Sequence, residues 1–96
     1  MVNRADVVEI DLSAVATAHD LHRAMAQSLG FPDFYGCNWA AFWDAITGLV
    51  EMPHCLRLVV WSGLVVRLPE DAKHHQSCLN DAIAEYPKLS AKVEYV

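Results

Sequence analysis

The sequence predicts an α/β fold, a single small domain in which a three-stranded parallel sheet is packed by about four helices. Three observations carry that expectation. β-Branched runs are separated along the chain by segments of helical period. No short hairpin turn joins any two of those runs, so neighbouring strands need crossover connections and lie parallel. Finally, 96 residues, of which 54% are hydrophobic and 20% charged, suit one buried core, and residues 1–96 are expected to form one domain.

Asp6 to Leu12 alternates in part and is rich in β-branched residues, which predicts the first strand. A helix follows. Thr17 and Asp20 stand at capping-box spacing with Asp in place of the usual Glu, then Leu21, Ala24, Met25, Ser28 and Leu29 keep helical spacing, and Gly30 with Pro32 ends the helix. Residues 31–38 form an aromatic-rich loop, in which Gly36 permits a turn that a side chain would resist. Asn38 caps a second helix, whose Trp39, Phe42, Trp43, Ile46 and Val50 share one stripe. Cys55 to Trp61 is nearly continuously apolar, as expected of a strand covered on both faces. Ser62 is placed to cap a short helical turn over residues 63–68, although Leu64-Val65-Val66 is equally compatible with extended chain. Pro69, Glu70 and Asp71 open a long helix running to about Tyr86, where Pro87 stops it, and Ala91 to Val96 reads as the last strand.

Composition excludes several function classes. No apolar run approaches the ~20 residues of a membrane span, and the segment from Met1 to Ile10 carries Arg4, Asp6 and Glu9 where a secretion signal would be apolar. Cys37, Cys55 and Cys78 are odd in number and lack C-x-x-C spacing, which predicts reduced thiols and a cytoplasmic location. Twelve acidic against seven basic residues give a net charge of −5. Between Arg23 and Arg57 there is no Lys or Arg, while Asp33, Asp44 and Glu51 lie inside that stretch, so its surface should repel nucleic acid and attract a basic protein. On charge alone, a solvated acidic face with no partner is the simpler explanation.

The segment from Phe34 to Pro53, FYGCNWAAFWDAITGLVEMP, resembles the signature of the barstar family without a gap: an aromatic-Tyr-Gly-x-Asn loop, a Trp-Asp pair on a helix, Thr-Gly, then an acidic residue and proline. Tyr35, Gly36, Asn38, Trp43, Asp44, Thr47 and Gly48 stand at the matching positions, and Asp20-Leu21-His22 is similar to the opening of that family's first helix. The resemblance implies the same three-stranded fold and a function without catalysis. The expected role is that of an immunity protein which blocks the active site of a secreted or toxin-type ribonuclease inside the cell that makes it. It implies neither a cofactor, nor a metal, nor a membrane or nucleic-acid partner, and a monomer is expected.

A ribonuclease centre is basic because it binds phosphates, so an inhibitor gains by placing a carboxylate there. Asp44 is the candidate, since a carboxylate on a helix can accept paired bonds from an arginine fork at little ordering cost. Ala40, Trp43, Asp44 and Thr47 share a helical face. Phe34 and Leu49 align with further family contacts, and Gly36 and Asn38 shape the loop. Two departures stand out. Ala40 occupies the position of a second family aspartate, and on the long helix an ungapped count for an acidic contact lands on Ala84, with Glu85 beside it as the substitute. An interaction module that no longer binds a barnase-type ribonuclease is therefore the alternative. His74 and Cys78 have i, i+4 spacing for two metal ligands, and His75 shares a stripe with Leu79, Ala82 and Tyr86. Two ligands do not make a zinc site, and Cys37 has no identifiable base, so packed or surface side chains are expected at all of these positions.

Overall fold

The computed structural model describes residues 4–96, which leaves Met1, Val2 and Asn3 of the charged N-terminal segment outside the described residues. Strand β1 (Val7–Asp11) leads to helix α1 (Ala18–Leu29), then α2 (Trp39–Asp44), which widens into a π-helical turn over Ala45–Leu49. Strand β2 (Cys55–Val59), helices α3 (Trp61–Arg67) and α4 (Pro69–Glu85), and strand β3 (Lys92–Tyr95) complete the chain. The sheet is parallel throughout in the order β1-β2-β3, with Ile10 beside Leu58 and Leu58 beside Tyr95. No helix of the described residues is long and apolar enough to cross a membrane.

Local chemistry sets the boundaries of α1. The Thr17 side chain accepts the Asp20 amide at 3.1 Å while the Asp20 carboxylate accepts the Thr17 amide, so both arms of the capping box form. Gly30 closes the helix in the left-handed conformation at φ 73°, where a Cβ would be disfavoured. Leu21, His22 and Met25 are the buried face, whereas Ser28 is exposed despite its helical spacing. Pro69 begins α4 at a position where its missing N–H is no loss.

Three expectations are corrected. β2 is covered fully on one face only: Leu56 and Leu58 are buried, while Arg57 turns outward between Glu9 and Glu94, at 3.4 and 3.0 Å, in a line of residues in register across all three strands. Ser62 does not cap α3, which begins at Trp61 after Val60 takes a left-handed backbone at φ 63°. The tight turn in the aromatic loop falls at Cys37, φ 51°, and not at Gly36. A Cβ added at Gly36 would lie 3.1 Å from Asn38 Nδ2, so that side chain would have to give by a few tenths of an ångström.

One core holds the helices on the sheet, with Ile10, Leu12, Leu56 and Leu58 from the strand side meeting Leu21, Met25, Phe42, Leu64 and Leu79. Two histidines lie within it. His22 and His75 are 2% and 0% exposed and are surrounded by aromatic rings: Trp39 lies 4.4 Å from His22 and 5.9 Å from His75, and Phe42 lies 5.2 Å from His75. This cluster seats α2 against α1 and α4, and so fixes the helix that carries the candidate site.

Candidate protein-binding face

Asn38 starts the face. Its side-chain oxygen accepts the Ala41 amide at 2.8 Å, capping α2, and its amide donates to the Gly36 carbonyl at 3.3 Å, which ties loop to helix. The loop is anchored from beneath by Tyr35, which packs edge-on against buried Phe31 at 4.8 Å. Tyr35 therefore points inward and its neighbour Phe34 is left outward, 76% exposed. An aromatic ring that open to solvent has no packing role within the described residues.

Along α2, Phe42 is buried, Trp43 is half-buried, and Ala40 and Asp44 are exposed. Trp43 packs on the core edge with its ring centroid 6.5 Å from that of Tyr86, which brings the end of α4, and with it exposed Glu85, towards α2. Thr47 is half-buried, and its hydroxyl donates to the Trp43 carbonyl at 2.6 Å. That bond satisfies a carbonyl in the region where the helix changes from α to π register, with Val50 N–H donating to the Ala45 carbonyl at 3.2 Å. The wide turn leaves Leu49 49% exposed beyond Asp44. Asp33, Asp44, Glu51 and Glu85 are all exposed.

Of the predicted site residues, the structure links Gly36 with Asn38 and Trp43 with Thr47 by hydrogen bonds, and Trp43 with the residue beside Glu85 by ring contact. Among the described residues no hydrogen bond or ring contact joins Phe34, Leu49 or Glu85 to Asp44 directly. Sequence reasoning put Trp39 on the buried stripe and matched Tyr35 and His22 to the family, but missed that they form one supporting layer. Tyr35, His22 and Trp39 support the loop and α2 from inside. Arg4 was read merely as a charge, yet its guanidinium is bound to four backbone carbonyls.

The cysteine and histidine candidates do not assemble. Among the described residues no group of three His, Cys, Asp or Glu side chains could hold a metal ion. His74 is stacked on Trp39 at 6.1 Å, His75 is core, and burial raises the Cys78 thiol, which disfavours the thiolate. The arrangement offers contact surface and charge.

Comparison with known proteins agrees with that description. The family model described as Barstar (barnase inhibitor) matches residues 5–95. A Bacillus subtilis (strain 168) protein named "Putative ribonuclease inhibitor YrdF" is 47% identical over 38 residues, which is 40% of this chain and 42% of that relative. The matched region thus spans about two fifths of each protein.

Proposed function

The chain belongs to the barstar family, and from that premise we propose that it inhibits a ribonuclease by seating Asp44 in the enzyme's phosphate-binding centre. The family description and the relative's name both support a role of the ribonuclease-inhibitor kind. The observation that carries the specific reading is the setting of Asp44, an exposed carboxylate on a helix whose other side is locked into the core through Phe42. A rigid carboxylate loses little freedom on binding and accepts paired bonds from an arginine.

Phe34, Trp43, Thr47 and Leu49 form the contact around it, Gly36 and Asn38 shape the loop, and Glu85 contributes from α4. The partner is a ribonuclease with a basic active site, met inside the cell that makes it, where free Cys37, Cys55 and Cys78 stay reduced. The inhibitor acts as a single domain and a monomer. Titrating the purified protein into a barnase-type ribonuclease tests this. Inhibition should be complete at one equivalent, with an association rate that falls as salt rises.

Ala40 favours a second reading. It is exposed on the same face as Asp44, where the family signature has a second aspartate. A module that kept the fold and lost barnase-type targets would show no inhibition in the same titration, and that result would replace the first reading.

A further inference from the structure

Arg4 donates from Nε to the Met52 carbonyl at 2.6 Å, from Nη1 to Lys88 at 3.0 Å, and from Nη2 to Pro53 at 3.1 Å and Ser90 at 3.2 Å. Four of the five N–H groups of one guanidinium are thus used, all on backbone. The acceptors come from two segments distant in sequence. Met52 and Pro53 follow the π-helical turn that carries Thr47 and Leu49, whereas Lys88 and Ser90 follow Glu85 and Tyr86 at the end of α4.

Between these segments lies a cavity of about 340 Å³, with Thr47, Gly48 and Glu51 on one side, Leu89 on the other and Arg4 in its wall. Below this opening Ile46 and Met52 pack with Leu79, Ala82 and Ala91, whereas Gly48, Glu51 and Leu89 at its mouth lie outside that core. The guanidinium bridges the two rims at the base.

We propose that Arg4 is a positioning residue of the partner-binding face, setting the π-helical turn and the end of α4 at a fixed spacing so that Leu49 and Glu85 engage one partner together. The inference rests on the protein-binding reading above. Only a planar, multiply donating group can serve four carbonyls at once; a lysine ammonium has three donors in tetrahedral array and reaches fewer of them. Without the bridge the two rims move separately and must be ordered on binding, which weakens affinity although no partner contact has been deleted.

The test uses the full chain, with Arg4→Met, Arg4→Lys and Asp44→Ala variants, and a barnase-type ribonuclease. Affinity is measured well below each variant's unfolding midpoint, and amide hydrogen exchange is measured on the free proteins. Arg4→Met should raise Kd by roughly tenfold, mainly through faster dissociation, and Arg4→Lys should recover only part of that loss. In the free Arg4→Met protein, exchange should quicken at residues 48–51 and 89–90 while α1 and β2 keep their protection. Unchanged exchange in both segments, or a Kd within about twofold of the wild type, overturns the inference. So does a uniform rise in exchange across the fold that accounts for all the lost affinity, since that marks Arg4 as structural alone. If the wild type and Asp44→Ala both fail to inhibit, the functional reading falls by itself, a pattern distinct from any of these.

Discussion

The Tyr35 hydroxyl and Nδ1 of His22 lie 2.5 Å apart, joining the exposed loop to a buried position on α1. Burial raises the phenol above its ordinary range and lowers the imidazole, so the hydroxyl keeps its proton and donates it to a neutral ring. Phe34 and Gly36 flank this anchor, and the bond therefore connects core packing with the face presented to a partner.

Tyr35→Phe removes the donor and leaves a buried ring nitrogen unpaired. The expected loss of stability is about 1–3 kcal/mol, seen as a lower urea midpoint at an unchanged m-value. Affinity for a ribonuclease should fall as well, because Phe34 is held only through this loop.

The buried histidines predict acid lability. Burial lowers His75 from 6.5 to about 3, with the charge of His22 adding to the effect, and burial lowers His22 in the same direction, with Asp71 opposing that and His19 adding to it. His75 faces Met25, Phe42, Trp39 and Trp61, and none of these can stabilise an imidazolium as a carboxylate would. The unfolded chain takes up these protons below about pH 6.5 while the folded chain stays neutral, so stability is fully present above that pH and declines as pH falls towards the folded values. The limiting slope is about 1.4 kcal/mol per pH unit for each histidine. The carboxyls of Asp20 and Glu94, held below their ordinary values by hydrogen bonds from the Ala16 amide and from Arg57 respectively, add losses only at lower pH. Urea unfolding from pH 7 to 4.5 measures the slope, and His75→Phe should flatten it.

Val60 predicts a stabilising change. A β-branched residue at φ 63° is strained, and its Cγ1 already lies where a Cβ on Gly63 would meet it at 2.9 Å. Val60 is 36% exposed, so Val60→Gly gives up part of its burial, but it relieves about 1–2 kcal/mol of left-handed strain and should raise stability slightly. Thermal unfolding would report this as a higher midpoint, and a lower one would show that the strand-to-helix turn needs the valine side chain.

These cases mark how far the sequence could be read. Capping chemistry at Thr17 and Asn38, the stop at Gly30 and the entry at Pro69 are local, and each boundary was legible from a few neighbouring residues. The parallel sheet followed from the lack of hairpin turns. The π-helical turn over Ala45–Leu49 was not legible, because Ile46 and Val50 keep the spacing of an ordinary helix. Nor was the single covered face of β2, since the Glu9–Arg57–Glu94 line joins three strands distant in sequence. The outward face of α2 could be counted from helical spacing, whereas the supports beneath it, His22, Tyr35 and Arg4, act through contacts across 13 to 86 positions.

Ala40→Asp tests what the departure at that position does. A second carboxylate one turn before Asp44 should tighten binding to a barnase-type enzyme and steepen the salt dependence of association. Repulsion between like charges at i, i+4 should cost the free protein only about 0.2–0.5 kcal/mol. An unchanged affinity would mean that the partner's surface opposite Ala40 carries no basic group.

The central claim is that Asp44 anchors the interface, and Asp44→Ala tests it most directly by inhibition of the ribonuclease at fixed salt, with circular dichroism confirming the fold. The carboxylate is exposed and makes no hydrogen bond within the described residues, so the fold should be unaffected. Loss of a charge-assisted pair to an arginine should weaken binding at least about tenfold, corresponding to roughly 1.5–3 kcal/mol. A change within about threefold, under roughly 1 kcal/mol, would contradict the account.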